Sequence, residues 1–447
     1  MRHRLDLFWP SLSLCGGLLF TPACSPLQLD PGPGGTHATV DDTERGALTA
    51  PTAVDVLLVI DNSGSMAQEQ RKFAAVLDKL VTVLSSGHLE DSPEANALRD
   101  FPPVQSLHIG VVSTDMGVNG AQPQKSCGAL SFRPDERDPQ TATEFLIKPF
   151  GDDGVLRTST AVAQTGIWVS PWPGGQPEEI VPGDPSCADV QLSDDQRFID
   201  YTAGESDVGE IAHAFGCLAK LGKNGCGLEQ QLEASLKALT PHSSHLRFSE
   251  NTPGQGGHTG PNAGFLREDA ILVVVFVSDE DDCSIPDSSR EMFDATSTAI
   301  AGQINVRCGL EENQSRLHPL QRYVDGLRAL KPVAYQDRIL VTSLVGVPLD
   351  TDRPVHTGAT SIQELLDRDD MQFRVELNQV GTADQPVATC SGTDGDAAPG
   401  RRFLELSKAF GDNGMVSSIC ASDYSAVIGA LIEKIGTGLR GGEVVLD

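Results

Sequence analysis

Basic residues are scarce in this chain: 33 Lys and Arg stand against 62 Asp and Glu, a formal net charge of −29. Such a balance argues against binding nucleic acid or an anionic membrane surface, and suits solubility outside the cell. The cysteines show no C-x-x-C spacing, which disfavours zinc binding and thioredoxin-like redox chemistry. Neither a G-x-S-x-G elbow nor an H-E-x-x-H motif occurs. The stretch from Gly216 to Lys223 imitates a phosphate-binding loop, but it has five residues between its glycines instead of four and Asn224 where Ser or Thr is needed. The histidines, His108 and His213 among them, are scattered, and nothing in the sequence pairs a nucleophile with a base. No solenoid-like repeat is present.

What is present begins with a basic start, Met1-Arg2-His3-Arg4, and a short apolar stretch from Leu12 to Phe20. This has the form of an export signal and is too short to span a membrane. Cleavage before Cys24 would resemble bacterial lipoprotein processing, with residues 1–23 as signal peptide and Cys24 acylated. By the same resemblance, Ser25 permits the outer membrane, which makes the expected location the cell envelope with a lipid anchor as the only membrane contact. Residues 24–52, rich in Pro and Gly with no apolar period, read as a flexible tether. Setting Cys15 and Cys24 aside leaves Cys127, Cys187, Cys217, Cys226, Cys283, Cys308, Cys390 and Cys420, an even number in an exported chain. Disulfides follow. Of the 105 connectivities that eight cysteines allow, proximity favours 127 with 187, 217 with 226, 283 with 308 and 390 with 420.

From Val54 onward, strands alternate with helices to residue 435, which predicts an α/β fold: one doubly wound, mostly parallel sheet covered on both faces. The apolar run Val54–Ile60 is followed by a helix with Phe73, Val76, Leu77, Leu80 and Leu84 on one face. Further strands are expected at 107–112, 271–277, 339–347 and 415–419, and further helices at 211–221, 228–239, 320–330, 403–410 and 424–435. The run Ile271–Val277 shows no alternation, as a parallel strand buried on both faces requires. Insertions are expected at about 118–210, 241–269 and 349–399, the first an ordered loop pinned by Cys127 and Cys187, with Trp168 and Trp172 as a local core or a recognition surface.

The first strand runs into Asp61-Asn62-Ser63-Gly64-Ser65, and the long apolar strand ends in Ser278-Asp279-Glu280-Asp281-Asp282. In an open α/β sheet, ligands sit beyond the carboxyl ends of the central strands. Neighbouring strands about 4.8 Å apart would let Asp61, Ser63, Ser65 and Asp279 share one divalent cation, whose charge offsets the repulsion between the carboxylates. Oxygen donors of this kind suit Mg²⁺, with Mn²⁺ or Ca²⁺ as alternatives. The alternative use of Ser63 or Ser65 is to cap the following helix.

The D-x-S-x-S sequence, placed after a buried strand and matched by a second strand ending in Ser-Asp, resembles the metal-ion-dependent adhesion site of von Willebrand factor type A (VWA) domains. The resemblance covers about residues 53–440, interrupted by the insertions. It implies that Asp61, Ser63, Ser65 and Asp279 hold Mg²⁺ or Mn²⁺ and that an acidic residue of a protein partner completes the coordination. Where that family has a threonine ligand, this chain has Glu229, which either reaches the cation, directly or through water, or is first-turn charge complementing a helix dipole. Thr114 and Asp115 line the site, make hydrogen bonds to the ligands, or form a simple turn. Glu280, Asp281 and Asp282 suggest a second ion or solvated rim charge, and their spacing does not fit an EF-hand loop. The function this implies is a metal-dependent adhesion or scaffold module, not an enzyme. The alternatives are an envelope protein whose cation only stabilises the fold, and a hydrolase using metal-bound water.

Overall fold

In a computed structural model, the described residues are 50–89, 100–117, 151–159, 185–222, 225–294, 296–377, 384–393 and 395–441, with short strand segments at 130–131, 146–147, 167–169 and 177–179. They belong to one compact unit, 49–447. The expected signal peptide, most of the tether, Cys24 and Cys127 lie outside the described residues, as does Trp172.

The α/β expectation holds. The sheet has seven strands: β1 (Ala53–Ile60), β2 (Ser106–Ser113), β3 (Ile199–Thr202), β4 (Ile271–Val277), β5 (Ile339–Val345), β6 (Val355–Thr357) and β7 (Gly414–Ser418). Their spatial order is β6-β7-β5-β4-β1-β2-β3. The five inner strands are parallel to one another, and the two edge strands, β3 and β6, run antiparallel to them. β1 and β4 are direct neighbours in register, Ile60 opposite Val277. Their carboxyl ends therefore open side by side, with chain reversal on either side of the pair.

Among the described residues, eight α-helices cover the sheet: α1 (Ala67–Ala74), α2 (Leu77–Ser86), α3 (Val208–Leu218), α4 (Gln231–Leu239), α5 (Gln321–Arg328), α6 (Gly358–Leu366), α7 (Arg401–Ala409) and α8 (Ser425–Leu439). The period-2 alternation of β1 sends Val54, Val56, Leu58 and Ile60 to one face, against Phe73, Leu80, Phe215 and Ile428 from α1, α2, α3 and α8. Leu57 and Val59 go to the other face, against Leu236, Tyr323, Ile362 and Phe403 from α4 to α7. With every residue of β4 buried, the continuous apolar run has its physical cause in this double cover. A third apolar cluster, including Leu228, Ile285 and Phe293, packs apart from both.

Several boundaries differ from expectation. The first helix is split at Ala75–Val76, where an i to i−3 bond from Val76 N–H to Phe73 carbonyl (3.1 Å) tightens the chain before α2 begins. α2 then stops at Gly87, whose φ of +73° forms a left-handed cap. The insertion expected at 118–210 contains β3 and the start of α3, which Asp207 caps by accepting from Glu210 N–H at 3.0 Å. The insertion expected at 349–399 contains β6, α6 and two small hairpins, Val375–Leu377 with Asp384–Pro386 and Cys390–Ser391 with Asp396–Ala397.

Disulfides join Cys283 to Cys308 and Cys390 to Cys420, as expected from proximity. The other two pairings are corrected: Cys187 bonds Cys217, not Cys127, and Cys217 therefore does not bond Cys226. Cys217 and Cys226 are nine positions apart, but Cys217 lies in the last turn of α3, whereas Cys226 is buried with Leu228 and Ile285 in the third cluster. Cys226 is itself disulfide-bonded.

Candidate functional site

Backbone pairing carries the β1 and β4 strands one step past their last ladder residues: Asp61 N–H donates to Val277 carbonyl at 2.9 Å and Ser278 N–H to Leu344 carbonyl at 3.2 Å. This fixes where the side chains of Asp61 and Asp279 emerge. Asp61 is fully buried. Its Oδ1 accepts from Ser63 N–H (2.8 Å) and its Oδ2 from Ser278 Oγ (2.7 Å). The Oγ atoms of Ser63 and Ser65 are 3.4 Å apart, and the Ser65 side chain acts on the Asp279 carboxyl in the direction that favours its ionised form. Asp61, Ser63, Ser65 and Asp279 thus form one connected set, although 218 positions of sequence number separate the two aspartates. Within the turn, only Gly64 and Ser65 are exposed.

Glu229 joins them. It lies two residues before α4 and is 1% exposed. The loop around it is held by Gln230 N–H donating to Thr114 carbonyl (3.1 Å) and Cys283 N–H donating to Glu229 carbonyl (2.8 Å). Burial, then the charges of Glu280 and Asp61, push the Glu229 carboxyl well above its ordinary range. Burial, followed by the charges of Asp61 and Glu280, does the same to Asp279. Burial also raises Asp61, against the hydrogen bonds from Ser278 and Ser63. Glu280 is pushed up to about 7, by burial first and the Asp61 charge second.

Four carboxyls packed this closely oppose one another's ionisation, since two unit charges about 4 Å apart at an effective dielectric of about 20 repel by about 4 kcal/mol. Several buried oxygens at this edge also lack a hydrogen-bond partner, Asp279 Oδ1, Glu229 Oε1, Thr114 Oγ1, Asn62 Oδ1 and Gln231 Oε1 among them. Buried acceptors are ordinarily satisfied. Among the described residues, no three His, Cys, Asp or Glu side chains already stand in a metal-ligating arrangement. The set here mixes carboxylates with two serine hydroxyls, an all-oxygen donor set that fits a hard divalent cation.

The remaining acidic residues have other partners. Asp115 accepts from Gly117 N–H (2.9 Å), and its carbonyl accepts from Asp152 N–H (2.8 Å), so it closes a turn. Thr114, in contrast, is wholly buried with its hydroxyl unpaired. The expectation of solvated charge along 280–282 is corrected at Asp282, which is fully buried. It pairs with Arg402 Nε at 2.9 Å, accepts from Leu232 N–H at 2.9 Å in the first turn of α4, and accepts from Ser284 Oγ at 2.6 Å. Asp281 accepts from Arg402 N–H at 3.0 Å, and burial lifts its carboxyl to about 7. These two residues bolt the acidic loop to α4 and α7.

The sequence did not single out Ser278, Gln231, Gln70 or Asn62 as parts of the site. Ser278 Oγ donates to Asp61 and accepts from Gln231 Nε2 at 2.9 Å. Gln70 Nε2 ties Asp61 carbonyl (2.7 Å) to Gly222 carbonyl (2.9 Å). Gly225 N–H donates to Asn62 carbonyl at 2.8 Å, and a Cβ at Gly225 would lie 2.1 Å from Asn62 Oδ1, so that loop needs glycine for its close approach. Ser278 was legible as the residue beside Asp279; the glutamines carried no pattern of their own.

The raised carboxyl groups set a pH dependence. In the cation-free chain, a folded carboxyl with an elevated pKa holds a proton that the unfolded chain has already lost. The folded state therefore binds more protons between about 4.5 and about 7, the ordinary and raised values for Glu280, and stability falls as pH rises through that window. His108, His318 and His356, whose buried rings are lowered, act in the opposite direction, but equally with or without cation. The expected result is that the gain in denaturation midpoint from adding Mg²⁺ grows between pH 5.5 and pH 8. A gain independent of pH would contradict this coupling.

No known family model matches the chain, and no curated protein matches it.

Proposed function

We propose that the chain is a cation-dependent recognition module of the VWA kind, displayed on the bacterial cell envelope and not an enzyme. The observation that carries this is the meeting of Asp61, Ser63, Ser65, Asp279 and Glu229 at the shared carboxyl edge of β1 and β4, with buried oxygens of Asp279 and Glu229 lacking a partner. These residues would hold Mg²⁺, or Mn²⁺ or Ca²⁺ in its place, and when bound it supplies a concentrated positive charge. Exposed Gly64 and Ser65 mark the side from which a partner's carboxylate would approach. The described disulfides are in keeping with an oxidising compartment outside the cytosol. Lipid attachment at Cys24 supplies the tether in this proposal.

A second interpretation has its own support. Glu229 and Glu280 add two carboxylates to those of Asp61 and Asp279, so a divalent ion leaves the group net negative and weakens its attraction for a partner's acid. The cation would then act mainly as a bolt between loops. One experiment separates the two: recovery of partners from envelope extract with Mg²⁺, with EDTA, and with Asp61→Ala and Ser63→Ala. Recognition through the cation predicts that partners are lost in EDTA and in both variants while the fold persists. Unchanged recovery alongside a lower melting temperature would leave only the structural role.

A further inference from the structure

A second depression lies on the same edge of the sheet, where β5 and β7 end. It is a cavity of about 520 Å³ bordered by the Cys390–Cys420 disulfide, within the size range of small-ligand sites. Val347, Leu349 and Pro354 supply apolar wall, and Leu349 is 49% exposed. His356, on β6, lines the cavity and is 6% exposed. Its Nδ1 lies 3.0 Å from Ser361 Oγ, while its Nε2 is buried without a partner. A buried, unpaired ring nitrogen in a cavity wall is a polar group awaiting a ligand.

The charge at the rim defines that ligand. Asp350 accepts from the Asp352 and Arg353 N–H groups through Oδ1 alone, and Asp423 accepts from Ser425 N–H and Oγ through Oδ1 alone. Each leaves its Oδ2 available. These backbone donors hold both carboxyls below their ordinary range, so both are ionised at neutral pH. The one cationic group of the lining, Arg353, is already engaged with Glu364 (3.1 Å) and Ser361 (3.3 Å). Two carboxylates face the opening, Asp350 near Arg353 and Asp423 near Lys79, each with one carboxylate oxygen outside these hydrogen bonds.

We propose that this cavity receives an arginine side chain of a peptide partner, its aliphatic stem on Val347, Leu349 and Pro354 and its guanidinium against Asp350 and Asp423. Arginine fits better than lysine because its five fixed donors can serve separated acceptors. The site is independent of the cation group at β1 and β4.

The test is an NMR titration of the full exported chain with Nα-acetyl-arginine methylamide, its lysine and citrulline counterparts, and free L-arginine. The expected result is saturable shifts at His356 and Ala421 with the arginine probe, and at least tenfold weaker binding of uncharged citrulline. Asp350→Asn/Asp423→Asn should weaken the arginine probe at least tenfold while the chain stays folded, since each Asn keeps an Oδ1 acceptor for the same backbone N–H groups. Added salt should weaken it too. Equal binding of citrulline, no saturable shift, or an unaffected double variant would overturn the proposal. Tighter binding of free L-arginine than of the capped probe would overturn the assignment to a peptide.

Discussion

Asp61→Ala will abolish the stabilisation that Mg²⁺ gives the folded chain. A ligand at about one hundred times its dissociation constant stabilises the state that binds it by about 2.7 kcal/mol, which for a chain of this size is a rise of several degrees in melting temperature. Asp61 is the hub of the group, since its carboxylate is bonded by both Ser63 and Ser278 and its charge acts on Glu229, Asp279 and Glu280. The companion substitution Glu229→Gln should have effects of opposite sign in the two conditions. Without cation it removes one carboxyl from a buried, mutually repelling group and raises stability. With Mg²⁺ present, it removes a ligand and lowers the gain. Thermal unfolding in EDTA and in millimolar Mg²⁺ reads both. A loss of stability in both conditions would assign Glu229 a purely structural role.

Arg402→Met will cost about 3–5 kcal/mol of folding stability, the usual consequence of leaving a buried charge unpaired. Asp282 has no exposure, and Arg402 comes from α7 to meet it at 2.9 Å, also donating from its terminal nitrogen to His318 carbonyl at 2.9 Å. Asp282 at the same time terminates the first turn of α4 through Leu232 N–H. Asp282→Asn keeps an acceptor for that N–H and should cost less than Arg402→Met. Urea unfolding followed by circular dichroism measures both, and a cost below about 1 kcal/mol for Arg402→Met would show that the pair is not a structural bolt. Because Cys283 N–H holds Glu229 carbonyl from the same loop, Arg402→Met should also weaken Mg²⁺ binding, though the residue touches no ligand.

The inner sheet was legible because its strands obey a simple rule: Leu57, Val59, Val274 and Phe276 are apolar where a strand has helices on both sides. The D-x-S-x-S turn was legible for a related reason, since five polar or glycine residues directly after such a strand fall at its carboxyl end. The edge strands were hidden by their brevity. β3 has four residues and β6 three, each inside a stretch dominated by turn formers. β3 did carry a faint signal, with Ile199 and Tyr201 buried and Asp200 between them exposed. The disulfide of Cys187 could not be read from spacing, because helix α3 turns Cys217 toward a segment 30 positions upstream.

The acidic run after β4 shows the limit of sequence most clearly. Asp279, Asp281 and Asp282 look alike in sequence, yet one faces the Asp61 group and the other two face Arg402 from a segment about 120 residues downstream. Nothing local to residues 279–282 marks that division. Glu229 was identifiable by its place before α4, but its burial among three other carboxyls depends on the Thr114 and Cys283 loops folding over it.

The most direct measurement is the anomalous scattering of crystals of the chain grown or soaked with Mn²⁺. A single strong peak is expected at the carboxyl edge of β1 and β4, within bonding distance of oxygens of the Asp61, Ser63, Ser65, Glu229 and Asp279 set, and absent from Asp61→Ala crystals. A peak elsewhere, or none at millimolar Mn²⁺ with the loop otherwise ordered, would contradict the assignment of a cation to this set.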